Sequence, residues 1–209
     1  MKLAFIGIGK VGFAIANNLQ KKGHHIIVAN NNSNSESVKN ALSQNSNFEL
    51  MNIQDAVDNS EIVFLATPYH INQSVLENIK FNGKVLVDCT NPVGPGISHG
   101  LQSTLSGSEV VQEIALDARV VKAFTIYGFE NFIDSNYPDY NVKPVMLYCG
   151  NDNEAKAKVA SLIEEMGYFP KDTGNLSQAL HLEHMTLLWV KMVRMNGHTP
   201  NFVWAYLEK

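Results

Sequence analysis

The apolar run Leu3–Ile8 leads straight into Gly7-x-Gly9-x-x-Gly12, and polar Asn17, Asn18, Gln20, Lys21 and Lys22 then alternate with Ile15, Ala16 and Leu19 at helical spacing. Strand, glycine turn, helix is the arrangement that cradles a dinucleotide. The first glycine makes the tight turn, the second admits a pyrophosphate to the backbone, and the third lets helix and strand pack closely. Free N–H groups at the helix start then face the phosphates. Gly23 and a second strand, His25–Ala29, complete the context that this fingerprint requires.

Strand-like and helix-like segments keep alternating through the first half of the chain. Helices are expected over Ser35–Gln44, Ile53–Asn59 and Ile71–Ile79, and strands over Asn47–Met51, Glu61–Ala66 and Lys84–Val87. Such alternation predicts a doubly wound parallel sheet of the Rossmann type. The stretch 90–108 interrupts it with glycine, proline and serine, and so reads as a loop after a strand end, where open α/β sheets bind ligands. Beyond it lie a helix Ser108–Leu116, a strand Ala118–Phe124, a helical turn Phe129–Ile133, a strand Lys143–Cys149, a helix Asn151–Met166, a strand Tyr168–Lys171 and a long helix Leu176–Asn196. The expected division is a dinucleotide-binding domain over 1–123 and a small helical and strand extension over 124–209 that completes the acceptor cleft.

Composition excludes several classes. The 209 residues are 45% hydrophobic with a net charge of −4, and no basic stripe is present, so a nucleic-acid partner is not expected. Cys89 and Cys149 each end an apolar run and read as buried small hydrophobes, with no metal-binding spacing. The longest apolar stretch, Leu180–Met195, contains Glu183, Lys191 and Arg194 and falls short of a bilayer span. A soluble, cytoplasmic protein without membrane contact is expected. The long helix is apolar on more than one face, which predicts a homodimer.

The end of the second strand selects the dinucleotide. An acidic residue there binds the adenine ribose and an Arg accommodates the 2′-phosphate of NADP. Here stand Asn30, Asn31, Asn32 and Ser33, neutral donors with no carboxylate to repel a phosphate, and the reading is NADP(H). Thr67-Pro68-Tyr69-His70 and Asn91-Pro92-Val93 follow the next two strand ends and are expected to flank the nicotinamide. Thr125-Ile126-Tyr127-Gly128-Phe129 reads either as an acceptor wall or as core. His181 and His184 stand one helical turn apart without an identifiable third ligand, so they read as a polar helix start. His70 and His99 fall in the candidate cleft, each read first as a partly exposed loop residue and alternatively as a proton donor to a substrate. No nucleophile–base set or acid/base pair stands out, and no catalytic residue is assigned. Hydride transfer is the cofactor's chemistry, and the protein needs mainly to stack two rings away from water.

MKLAFIGIGKVGFAIANNLQKKGHHIIVAN, FLATPYH, LVDCTNPVG, VVKAFTIYGFENF, MLYCGND and LIEEMGYFPKDTGNL…VRMNG together resemble the deazaflavin (coenzyme F420)-dependent NADP reductase family, which includes the reductase domain of the STEAP metalloreductases. The resemblance runs over nearly the whole chain. It implies a hydride transferred between NADP(H) and a flavin- or deazaflavin-like acceptor, a small molecule. Carried over by motif, it puts the phosphate loop on Gly7, Ile8, Gly9, Lys10 and Val11, the 2′-phosphate segment on Asn30–Asn32, and the nicotinamide side on Thr67, Pro68, Asn91 and Pro92. The family's usual Ser-Arg pair at the 2′-phosphate is replaced by Asn30-Asn31. The opening motif is also shared with pyrroline-5-carboxylate reductases, so an imine reductase is one alternative. A nucleotide-sensing module without turnover is another.

Overall fold

The computed structural model describes residues 1–209. In chain order the first half consists of β1 (Lys2–Ile6), α1 (Lys10–Lys21), β2 (His25–Ala29), α2 (Glu36–Gln44), β3 (Glu49–Met51), α3 (Ile53–Asn59), β4 (Ile62–Leu65), α4 (Asn72–Leu76) and β5 (Val85–Asp88). The second half has a two-rung hairpin, β6 (Val93–Gly94) and β7 (Ser98–His99). It continues with α5 (Gly107–Ile114), β8 (Arg119–Lys122), α6 (Glu130–Ile133), β9 (Val145–Gly150), α7 (Asn153–Glu165), β10 (Phe169–Asp172) and α8 (Ala179–Arg194).

Eight strands form one sheet in the order β10-β9-β8-β5-β4-β1-β2-β3. Every pairing is parallel except β8 with β9. Helices cover both faces of the sheet, so the central strands are continuous apolar runs buried on both sides. Leu3 and Phe5 of β1 join the core on one face with Ile15 and Leu19 of α1, while Ala4 and Ile6 join the core on the other with Ala56 and Val57 of α3. Phe5 stacks on Phe64 of β4 with ring centroids 4.5 Å apart, which fixes the β1/β4 junction behind the glycine turn. The expected doubly wound fold is therefore present, and the sheet runs on through residues beyond 123 by way of β9 and β10. No helix is long and apolar enough to cross a membrane.

Two expected helices differ at their ends. The segment expected over 71–79 opens with a 3-10 turn, Tyr69–Ile71, and its α-helix stops at Leu76. Asn72, at its start, is buried because both ends of its amide are bonded to strand-end hydroxyls. The long C-terminal helix also opens with a 3-10 turn, Leu176–Gln178, before α8 proper. Cys89 and Cys149 are both buried and unpaired.

Candidate active site

The three glycines of the first turn have separable reasons to be glycine. Gly7 has φ +93°, and a Cβ there would lie 2.6 Å from the backbone carbon of Ala66. The turn thus presses against the end of β4 and brings Thr67 beside it. A Cβ on Gly12 would lie 2.2 Å from the Gly7 carbonyl oxygen, so close packing of α1 on the turn requires glycine. Gly9 is different: its φ of −71° suits any residue, and a Cβ would meet no protein atom within 4 Å. The protein leaves open the place where the fingerprint puts a pyrophosphate.

Gly9 is also the N-cap of α1, with no side-chain cap and no acidic residue in the first turn. The helix start keeps its orphan N–H groups and positive dipole end for an anion. Ile8, Gly9 and Lys10 form one end of a cleft of about 490 Å³ that continues between Asn17 of α1, Ser37 and Asn40 of α2, and Phe129. The Lys10 ammonium sits 5.1 Å over the Phe129 ring. Val11, in the first turn of α1, is half-buried against the core. A smaller cavity, about 290 Å³, lies between Tyr137, Tyr140, Phe202 and Trp204 and contains none of the sequence-derived site residues.

The segment after β2 is a chain of asparagine turns. Asn30 Oδ1 accepts from the Asn32 N–H at 2.8 Å, and its amide nitrogen points at Ser35 Oγ at 3.4 Å. Asn31 Oδ1 accepts from the Ile53 N–H at 2.9 Å, in the first turn of α3. Asn32 Oδ1 accepts from the Asn34 N–H. Each carbonyl end is thus used internally. The Asn31 and Asn32 amide nitrogens are left to donate outward beside exposed Ser33. No carboxylate or guanidinium belongs to this segment.

At the ends of β4 and β5 the expected nicotinamide-side residues come together. Thr67 Oγ1 donates to Asn72 Oδ1 at 2.7 Å, and Asn72 Nδ2 donates to Thr90 Oγ1 at 3.0 Å. Pro92 is buried, whereas Pro68 is exposed. Asn91 Oδ1 lies 3.1 Å from Thr186 Oγ1 of α8, a hydroxyl that also faces the carbonyls of Thr125 and Leu182. Tyr69 stands beside them, half-buried, its phenol pushed up to about 12 by burial and then by the carboxylates of Glu183 and Asp88. Of the two readings for 125–129, Thr125, Ile126 and Tyr127 are core, with Tyr127 donating to the carbonyl of Val145 and stacked on Tyr168. Phe129 alone of this group lines the cleft. His70 is exposed, as are His181 and His184.

Beneath these loops lies a buried ionic network that sequence reasoning did not find. Asp88 and Lys122 are register partners on β5 and β8, each 0% exposed, with Lys122 Nζ 3.1 Å from Asp88 Oδ2. Glu183 of α8, 1% exposed, brings Oε1 to 3.2 Å from the same ammonium, an ion-pair contact rather than an aligned hydrogen bond. Its other oxygen, Oε2, accepts from the Gly107 N–H at 3.0 Å and lies 2.8 Å from His99 Nε2. Ser108 Oγ and the N–H and hydroxyl of Thr90 complete the shell of Asp88. Burial alone would depress the Lys122 ammonium, but Asp88 and Glu183 outweigh it and hold it above the ordinary lysine value. His99, read from sequence as a loop histidine, is buried and stacked on His184 at 5.4 Å. One signal was available: Asp88 and Lys122 each close an apolar strand run, and buried charges at neighbouring strand ends need one another. Glu183 carried no comparable signal among the polar residues of α8. No group of three or more His, Cys, Asp or Glu side chains is arranged to hold a metal ion.

Residues 2–92 match the family described as coenzyme F420-dependent NADP oxidoreductase. The match spans just under half of the chain, and the family it describes is one of NADP-dependent oxidoreductases. Among similar proteins is the metalloreductase STEAP3 of Rattus norvegicus, 28% identical over 189 residues, 89% of this chain but 36% of the relative's length. The chain thus spans about a third of that relative. Among solved structures, a protein of Arthrobacter sp. FB24 provisionally described as an F420-dependent NADP reductase superposes over 100% of both chains with a TM-score of 0.83 and 26% identity. A reductive aminase of Aspergillus terreus, solved with NADPH4, cyclohexanone and allyl amine, shares the fold at a TM-score of 0.66 and 19% identity, over 94% of this chain and 62% of its own. These comparisons agree with the resemblance carried by the motifs: the matching family and the solved structure that superposes over the full chain are both described as NADP-dependent reductases or oxidoreductases.

Proposed function

We propose that the chain binds NADP(H) across the C-terminal edge of its sheet and transfers a hydride between the nicotinamide and a flat, flavin- or deazaflavin-like acceptor. The observation that carries this reading is the open space over Gly9, beside an uncapped helix start. In this reading Gly7, Ile8, Gly9, Lys10 and Val11 hold the pyrophosphate through backbone N–H groups. Asn31, Asn32 and Ser33 donate to the 2′-phosphate, with Asn30 shaping the turn that presents them. Thr67, Pro68, Asn91 and Pro92 hold the nicotinamide end, with the Asn91 amide nitrogen available to a ring carboxamide. The bound cofactor supplies a transferable hydride, and the protein orients the two rings and excludes water.

Residues 124–209 complete the acceptor side in this reading, through Phe129 and α8. A homodimer is proposed with it, because Leu188 (51% exposed) on α8 and Met195 (65%) just past its end leave apolar surface uncovered by the chain itself. Light scattering at micromolar concentration checks this and should return twice the chain mass.

The decisive experiment is NADPH titration followed by steady-state NADPH oxidation over FMN, riboflavin, a deazaflavin and small cyclic imines. Turnover with a flavin or deazaflavin is the expected result. Turnover with imines alone would replace the acceptor class. Tight binding without turnover on any of them would make the chain a nucleotide sensor.

A further inference from the structure

The network below the nicotinamide-side loops has a charge that can be counted from its donors and acceptors. Lys122 faces Asp88 Oδ2, Glu183 Oε1 and the carbonyl of Thr90, acceptors all, so it is an ammonium. Asp88 receives from Thr90 N–H at 2.9 Å, Thr90 Oγ1 at 2.7 Å, Ser108 Oγ at 2.5 Å and Lys122, and meets no acceptor: it is a carboxylate. Glu183 meets Lys122, the Gly107 N–H and His99 Nε2. The state of His99 is fixed by its other nitrogen. Nδ1 accepts from the N–H groups of Leu101 at 3.3 Å and Ser103 at 3.2 Å, so it carries no proton and the ring is neutral, with the proton on Nε2 donated to Glu183. Glu183 is then a carboxylate as well. One positive and two negative charges leave a net charge of −1, with all three side chains at most 1% exposed. The neighbouring Tyr69 phenol and Cys89 thiol, both held above their ordinary values chiefly by burial, contribute no charge. His184 faces His99 from the exposed side.

A buried, uncancelled negative charge is costly unless something nearby answers it. The network is continuous with the loops assigned to the nicotinamide: Thr67, Asn72, Thr90 and Asp88 form one hydrogen-bonded chain. Thr186, 3.1 Å from Asn91 Oδ1, lies three residues from Glu183 on α8. The nicotinamide ring changes from neutral to cationic when it gives up its hydride: the C4–H bond breaks, both electrons leave with the hydrogen to the acceptor, and the ring nitrogen is left positive. We propose that the net negative charge of the Asp88–Lys122–Glu183 network stabilises the oxidised, cationic nicotinamide. The network thereby biases the oxidoreductase toward hydride donation by NADPH. This rests on the NADP(H) reading above.

The test is equilibrium binding of NADP+ and NADPH separately, by calorimetry, without turnover. The unmutated protein should bind NADP+ at least as tightly as NADPH. Glu183→Gln, which removes the surplus charge at nearly constant shape, should shift the NADP+/NADPH affinity ratio about tenfold toward NADPH, equivalent to about 1.4 kcal/mol. One unit charge acting within the protein can supply that. Asp88→Asn should shift the ratio the same way, and serves if Glu183→Gln does not fold. His99→Gln disturbs the same cluster without changing its charge and should leave the ratio alone. A wild-type protein that binds NADPH more than tenfold tighter than NADP+ overturns the proposal, as does an equal loss for both cofactors in folded Glu183→Gln. A wild-type protein that binds neither cofactor refutes the function reading instead.

Discussion

Gly9 and Gly12 are three residues apart in one motif and should fail in different ways. Gly9→Val meets no protein atom and keeps an ordinary φ, so stability should fall by about 1 kcal/mol or less, the cost of a poorer N-cap. NADPH binding should nevertheless disappear, because the isopropyl group fills the pyrophosphate's space. Gly12→Ala drives a Cβ into the Gly7 carbonyl and should cost about 1–3 kcal/mol of stability, the usual range for overpacking. Urea melts read beside NADPH titrations separate the two. The asparagines after β2 give a second pair. Preference for NADPH over NADH should be tens-fold, because neutral hydrogen bonds contribute about 0.5–1.5 kcal/mol each. Asn31→Arg should tighten NADPH binding through paired guanidinium bonds while lowering the melting temperature, since it removes the acceptor that Ile53 N–H uses. Asn30→Asp keeps the acceptor for Asn32 N–H and should move preference toward NADH by repelling the phosphate. Titrating each variant with both cofactors decides this, and an unmoved ratio in Asn30→Asp would mean the loop does not read the 2′ position. Single residues were legible in the sequence where their reason is local, as at Gly7, whose turn has φ +93°. They were not where the partner is remote, as for Glu183, whose contacts His99 and Gly107 lie 84 and 76 residues away.

At the scale of elements, the start of α5 is where three parts of the chain meet. A Cβ on Gly107 would lie 2.8 Å from the Tyr69 ring, 3.0 Å from Pro92 and 3.2 Å from Glu183 Oε1. Gly107→Ala should therefore displace the Tyr69 and Pro92 loops, lowering turnover more than it lowers helix stability, since α5 keeps its Ser106–Glu109 capping box. Lys122→Met tests the bond between β5, β8 and α8. It leaves Asp88 and Glu183 buried without their shared cation and should cost about 3–5 kcal/mol in urea unfolding, a size typical of breaking a buried ion pair from one side. The elements themselves were legible. His25–Ala29 and Ile53–Asn59 occur with the expected boundaries, because a short apolar run after Gly23 and a helical pattern after the Asn52 cap mark them off. The hairpin Val93–His99 was read as loop, since two-residue strands carry too little periodicity to register.

For the whole molecule, the uninterrupted sheet is the consequential feature. The antiparallel β8/β9 step lets residues beyond 123 extend the same core and return α8 to the ligand edge, where it reaches Asp88's partner and Asn91 together. The mean architecture followed from the βα alternation, but the reversal at β9 did not, because a short polar loop and a buried strand read alike in either direction. The same burial sets how stability responds to pH. Burial raises Tyr127 and Tyr168 above the ordinary tyrosine range and Cys149 to about 12, and the Asp88 and Glu183 carboxylates raise Lys122 despite its burial. In every one of these groups the folded state holds its proton more tightly than the unfolded chain does. Their contribution is therefore complete below the unfolded values, near 8.5 for a thiol and 10 for tyrosine and lysine, and is lost as pH rises toward the folded ones. Each contributes up to about 1.4 kcal/mol per pH unit in that window. The urea midpoint should thus fall progressively above about pH 9, with the tyrosinate absorbance of Tyr127 and Tyr168 appearing in the same transition rather than before it. Tyrosinate forming at Tyr127 or Tyr168 in the still-folded protein at pH 10, read as absorbance lost in their Phe variants, would show that their stack is not closed to water.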